Sequence, residues 1–179
     1  SGAFPLGVAH ILAGWDHLLF LAALILVVER PATLAGIVSG FTAGHTMTLL
    51  LAGLDVFSLP SRLTESAIAF SIALVAFENT RARPLCRRWL LATLLGLVHG
   101  VGFASGLREM LPPDRLVLSL LFFNLGVEAG QLAVVMMAWP LLRLAARWHG
   151  WAARGPRTLS WGIAAAGAVL CALRISGAS

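Results

Sequence analysis

Six apolar runs, each close to the length that carries a helix across a bilayer, divide this chain: residues 6–28, 32–53, 60–80, 89–106, 115–142 and 158–174. Short connections punctuated by Pro, Gly and Arg separate them. Lipid offers no partner to a backbone N–H or C=O, so such runs are restricted to helices that satisfy their own hydrogen bonds. The expected fold is therefore an all-α membrane protein, a single bundle of six transmembrane helices forming one polytopic domain over residues 1–179. Composition agrees: 59% of the residues are hydrophobic, 12% are charged, and the mean hydropathy is +0.87.

All 13 basic residues are Arg, and the net charge is +5. A basic balance can signal nucleic acid, but these arginines lie between the apolar runs, where topology accounts for them. Arg30, Arg81, Arg83, Arg87, Arg88, Arg143, Arg147, Arg154 and Arg157 follow odd-numbered runs, whereas Arg62, Arg108, Arg115 and Arg174 fall on the other side. The positive-inside rule then places both termini outside, in a multi-pass protein of a bacterial-type inner membrane. Cys86 and Cys171 fall on opposite sides in that topology and read as free thiols. The first run lacks a basic start and a small-residue cleavage site, so it is not a signal peptide. The chain begins with Ser rather than Met, which leaves an upstream segment open.

An ionisable group near the bilayer centre costs several kcal/mol unless it is paired or hydrated. The first run nevertheless carries His10, Asp16 and His17. On one continuous helix the two histidines fall within about 20° of each other, with Asp16 about 100° away. That pattern suits half of an intramembrane metal or proton site, or else a polar cluster locking helices together. His45 follows Gly44 among Thr42, Thr46 and Thr48, which could satisfy its ring or their own backbone. His99 lies in a glycine-rich stretch with Gly96, Gly100, Gly102 and Gly106. Asn124, Glu128 and Gln131, at i, i+4 and i+7, make one polar stripe that reads as an ion path or a hydrogen-bonded seam.

Glu78 and Asn79 close the third run beside Arg81 and Arg83, where pairing is the cheaper explanation and an inner exit the other. Glu65, three residues from Arg62, reads as its ion-pair partner or as a point on the path. Gly7-x-x-His10 and Gly96-x-x-His99 open the two three-helix halves, the trace that an inverted repeat would leave.

These residues also carry a resemblance. His10-x5-Asp16-His17 with Leu18-Leu19-Phe20, Gly44-His45-Thr46-x-Thr48-Leu49, Glu78-Asn79, His99-Gly100-x-Gly102-Phe103 and Asn124-x-Gly126-x-Glu128-x-Gly130-Gln131 resemble the HupE/UreJ membrane proteins, in their second branch. The likeness covers runs one to five. It implies a small polytopic protein tied to hydrogenase and urease accessory functions, with nickel uptake as the activity. The better-known branch matches His10, Asp16 and His17 residue by residue. In its later motif only His99 and Gly100 match, and Phe103 and Gly106 stand where a second His and a Glu occur.

The leading expectation is a permease for a divalent transition metal ion, nickel first, with zinc and cobalt as other candidates. The ion would meet His10 and Glu65, bind His17, Asp16, His45 and His99, and pass Glu128, with Thr48, Glu78, Asn79, Asn124 and Gln131 along the path or orienting the ligands. The implied partners are the lipid bilayer and the metal ion as substrate, with no nucleic acid and with a homo-oligomer left open. No nucleotide-binding motif is present, so a gradient or a separate partner would drive transport. The alternative is an intramembrane zinc-dependent hydrolase resembling alkaline ceramidases, with Ser105 or Glu128 assisting a metal-bound water. A haem or metal-sensing subunit with axial His pairs is a third class.

Overall fold

The computed structural model describes residues 2–28, 30–82, 85–102, 106–107, 110–147 and 149–177. Among them there is no strand. The helices are α1 (Ala3–Ala13), α2 (Trp15–Val27), α3 (Pro31–Gly53), α4 (Ser61–Glu78), α5 (Arg88–Gly102), α6 (Leu116–Ala145) and α7 (His149–Ser176), with a 3₁₀ turn at Pro113–Arg115 before α6. Sequence signals set several of these limits. Pro31 occupies the first turn of α3, where its missing N–H costs nothing. At the other end Asp55 takes a left-handed φ of 64°, while Val56 N–H reaches the Leu51 carbonyl and Asp55 N–H that of Ala52. That pattern closes the helix and satisfies carbonyls its last turn leaves open. The last helix begins at His149 and not near 158, because a basic turn outside the apolar run continues it.

The first run is not one helix. Gly14 adopts an extended conformation with ψ 99° between α1 and α2, which meet at a bend of 70°. Glycine holds a helix less well than alanine by about 1 kcal/mol. A Cβ at Gly14 would also stand 2.6 Å from the His17 ring and 2.8 Å from the His10 carbonyl. The expected face-sharing of His10 and His17 on a single helix is therefore replaced by a break between them.

By length and composition, α3, α6 and residues Arg154–Ser176 of α7 can each cross a bilayer, and α1 with α2 adds a fourth span if the bend lies within one crossing. α4 has the length but carries Arg62, Glu65 and Glu78, and α5 is a shorter apolar helix. Large apolar side chains such as Trp15, Met136, Met137 and Leu141 face outward, the arrangement of a surface covered by lipid.

Three close crossings organise the bundle: α1 on α6, α3 on α5, and α4 on α7. At the first, a Cβ on Gly7 would overlap the Phe123 carbonyl, and one on Gly126 the Phe4 carbonyl. At the second, a Cβ on Gly96 would overlap the Phe41 carbonyl, and one on Gly44 the Thr93 carbonyl. Each glycine thus meets the residue three before the glycine opposite, in both crossings, and both pairs run parallel. Gly7 and Gly96 each precede a histidine by three residues. The Gly-x-x-His recurrence in the sequence is therefore a recurrence of packing as well. The third pair is antiparallel, with Gly167 against Ala69 and Ala73 and Arg62 against Arg174.

The two ends of the bundle differ in charge. At one end, Asn79 donates to the Ala23 carbonyl (2.7 Å), Arg88 donates to Asn79 (2.8 Å), and Arg143 donates to the Val28 carbonyl that ends α2 (2.6 Å). Glu78 is buried there, paired with Arg81 at 3.3 Å and accepting from Leu85 N–H. The pairing expected from the sequence holds for Arg81; Arg83, like Phe103, Ser105 and Arg108, lies outside the described residues. Arg62 and Arg174 occupy the opposite end.

Candidate functional site

Neutral imidazole carries one donor and one acceptor nitrogen, and a ring buried with neither bonded costs roughly 1–3 kcal/mol for each lost partner. Four imidazole rings meet inside this bundle. His10 comes from the last turn of α1, His17 from the first turn of α2, His45 from α3 and His99 from α5. Ring centroids lie 4.6 Å apart for His10 and His17, 5.6 Å for His17 and His99, 6.4 Å for His17 and His45, and 6.5 Å for His10 and His45.

The break at Gly14 is what permits this. It lets α1 deliver His10 along α6 while α2 turns His17 toward α3 and α5. Gly44, Gly96 and Gly100 then let α3 and α5 approach backbone to backbone, which brings His45 and His99 to the same depth.

The environment of the rings is apolar. Phe41 stands 5.0 Å from His99 and 6.0 Å from His45, Phe20 stands 5.6 Å from His99, and Phe123 stands 5.5 Å from His10. Phe20 and Phe41 also contact each other at 4.8 Å. Each lies one helical turn from a histidine, toward the end of the bundle that holds Val28 and Glu78. They form an aromatic floor whose signal in the sequence is a Phe one turn from His17 and from His45.

Hydrogen bonding leaves the nitrogens available. His99 Nδ1 donates to the Leu95 carbonyl at 2.9 Å, which leaves the lone pair of a neutral ring on Nε2. That Nε2 has no hydrogen-bond partner, nor has either nitrogen of His17 or of His45. Of the two roles open to the threonines around His45, Thr46 and Thr48 take the bond to their own backbone, and none serves the ring. Thr46 donates to the Thr42 carbonyl, Thr48 to the carbonyls of Gly44 and His45, and Thr42 to Gln131. A hydroxyl on a helix finds its own backbone one turn back more readily than a ring on the far face.

No three His, Cys, Asp or Glu side chains among the described residues are grouped as a ready-made metal site. The rings are gathered but not aimed at one point. With N–metal bonds near 2.05 Å, imidazole centroids sit roughly 4.5–6.4 Å apart for bond angles from 90° to 180°; the spacings of His17 to His10 and His99 fall inside that range, whereas His45, 6.4 and 6.5 Å from His17 and His10, lies at or beyond its limit.

The remaining predicted residues fall elsewhere. Asp16 directs its carboxylate to Arg174, Oδ2 to Nη2 at 2.8 Å. Glu65 does not depend on Arg62: its carboxylate stands 4.0 Å from Arg174 Nε and its carbonyl accepts from Nη1 at 2.9 Å, while Arg62 Nε donates to the Arg174 carbonyl. Glu128 accepts from Ser39 at 2.5 Å, and no contact among the described residues links it to the imidazoles. It lines a groove of about 330 Å³ between α3 and α6 with Thr42, Thr46, Leu121, Asn124 and Leu125. Asn124 and Gln131 are buried along the same seam, Asn124 donating to the Leu120 carbonyl and Gln131 accepting from Thr42. Position along α6 predicted the stripe, and hydroxyls of α3 are the partners of Glu128 and Gln131 in it.

Comparison with known proteins yields one finding. The family model described as HupE / UreJ protein matches residues 2–175, and the chain belongs to that family. No curated protein and no solved structure gives a significant match.

Proposed function

We propose that this member of the HupE/UreJ family is an integral membrane permease for a divalent transition metal ion, nickel first, and that the ion is held in transit by His10, His17, His45 and His99. One observation carries the reading: four imidazoles from four helices share one aromatic-walled space inside the bundle, and His17, His45 and His99 carry buried ring nitrogens with no hydrogen-bond partner there. Imidazole is a borderline ligand that suits Ni²⁺, Co²⁺ and Zn²⁺. Purified protein should bind Ni²⁺ saturably by equilibrium dialysis, and membranes carrying it should take up the ion. A protein that does neither ends the reading.

The bundle is proposed to span the membrane six times as one domain in a bacterial inner membrane, with α1 and α2 as one broken crossing and both termini outside. The gathering of Arg81, Arg88 and Arg143 at one end supports this orientation. A cysteine at Leu85, an exposed position in the loop before α5, tests it in a background lacking Cys86 and Cys171. An impermeant maleimide should label it in inverted vesicles and not in intact cells; the reverse pattern inverts the topology.

The paired crossings of α1 on α6 and α3 on α5 support a transporter built from repeated halves, with the ion held where they meet. Asp16 and Glu65 would draw the ion from outside. Phe20 and Phe41 would keep water and ion from running through in this state. Glu128, apart from the rings, is placed on the path after them, with Asn124 and Gln131. Its substitution should therefore separate binding from movement. Glu128→Gln should leave Ni²⁺ affinity within about 3-fold of wild type while uptake falls about 10-fold, a scale taken from the loss of groups that act beside a metal site. Uptake equal to wild type at matched expression assigns Glu128 to helix packing.

A further inference from the structure

Arg174 is the feature of this bundle that the proposed function has not used. It lies in the last turn of α7, the helix in which the sequence shows no motif. Its guanidinium reaches across two other helices. Nη2 meets the Asp16 carboxylate of α2 at 2.8 Å, Nη1 donates to the Glu65 carbonyl of α4 at 2.9 Å, and Nε stands 4.0 Å from the Glu65 carboxylate. Arg62 in turn donates to the Arg174 carbonyl at 3.3 Å, so the turn that carries Arg174 is itself held.

The place of this group matters as much as its bonds. Side-chain exposure falls from 47% at Glu65 to 22% at Asp16, and the neighbouring residue His17 is 8% exposed. Arg174, at 18%, is less exposed than either carboxylate, and the Asp16 it pairs with immediately precedes the buried His17. A carboxylate already paired with a guanidinium is closed to another cation until the guanidinium moves.

We propose that Arg174 is a tethered stand-in for the incoming ion: it occupies Asp16 and Glu65 while the imidazoles are empty, and a divalent cation gains the site by displacing it. The inference rests on the permease reading above. The exchange is ionic; no bond is made or broken beyond hydrogen bonds and ion pairs. It also bears on selectivity. A monovalent cation offers a carboxylate no more charge than the guanidinium it must replace and lacks its forked hydrogen bonds, whereas a divalent ion brings twice the charge. Displacement breaks the tie between the end of α7 and α2, while Arg62 still holds the Arg174 carbonyl to α4.

The sign of the effect on affinity separates a latch from a strut. Ni²⁺ binding to the purified full chain is measured by equilibrium dialysis, with thermal melting alongside, for wild type, Arg174→Lys, Arg174→Gln and the double variant Arg174→Gln with Asp16→Asn. Removing the competitor should tighten binding by about 5-fold or more in R174Q, the scale of a partly exposed ion pair. R174K keeps the charge but loses the fork and should lie between R174Q and wild type. The double variant should bind no more tightly than wild type, because the freed carboxylate is gone. Binding by R174Q that is unchanged or weaker, in a protein that still melts cooperatively, overturns the proposal. If R174Q does not fold, R174K decides alone: tighter than wild type supports the latch, equal or weaker refutes it. Failure of wild type itself to bind Ni²⁺ removes the permease reading, whereas wild-type binding with an unmoved R174Q removes only the latch.

Discussion

His17→Leu and His45→Leu will each weaken Ni²⁺ binding by at least about 100-fold and bring uptake to background, while the folded protein melts at or above the wild-type temperature. The two halves of this expectation come from one fact. Neither ring nitrogen of His17 or His45 has a hydrogen-bond partner, and both side chains are buried. Leucine of similar bulk removes buried polar atoms without leaving a partner unsatisfied, a change that is near neutral or stabilising. For the ion, by contrast, a ligand is lost outright, a greater loss than the 10–100-fold typical of groups that merely orient a ligand. Rings that serve packing alone would give the opposite pattern, a lower melting temperature with binding intact, and that result would end the metal-site assignment. Thermal melting in detergent and equilibrium dialysis on the same preparations read both quantities.

Gly96→Ala should lower the melting temperature and force α3 and α5 apart. Its Cβ would overlap the Phe41 carbonyl and stand 3.1 Å from the His45 amide nitrogen. These are backbone atoms, so no side chain can swing aside and the helices must separate. Overpacking of this kind costs about 1–3 kcal/mol or more, against a gain of about 1 kcal/mol from replacing glycine in a helix. The clash prevails. Because α3 and α5 carry His45 and His99, their separation should also weaken Ni²⁺ binding. Gly36→Ala supplies the contrast: on α3, with nothing within 4 Å of the added Cβ, it should keep only the gain and melt no lower than wild type. Equal melting temperatures for the two variants would show that the α3–α5 crossing is not tightly closed.

The glycines mark how far the sequence could be followed. Gly44 and Gly96 announced close approach, because a helix carries glycine at a cost that is offset where backbones touch. Which helix each would touch was not legible, since every glycine offers the same bare face. The match between Gly7 with Gly126 and Gly96 with Gly44 appears only when the partners are known. The surroundings of His45 were ambiguous for a different reason: nearby threonines could serve its ring or their own backbone, and the hydroxyls of Thr46 and Thr48 turn back to the carbonyls one turn below. Glu128 was expected beside the histidines from its depth along the chain, and depth does not set direction around a helix.

Determined by the sequence itself are the all-helical character, the apolar lengths that suit lipid, the uneven placing of arginine and the roster of polar residues costly to bury. All of these are properties of single segments, decided by how many apolar residues stand in a row and what interrupts them. Only the tertiary structure decided which interruptions meet. Each residue turns a helix by about 100°, so a 70° bend at Gly14 redirects everything after it, and His10 and His17 come together across a break where a continuous helix was expected. Asp16 and Arg174, 158 residues apart, form an ion pair that no local pattern contains. It exists because α7 packs antiparallel to α4 and ends beside the first turn of α2, and the register of one helix against another is set by the fit of glycines to carbonyls over the whole length of the crossing.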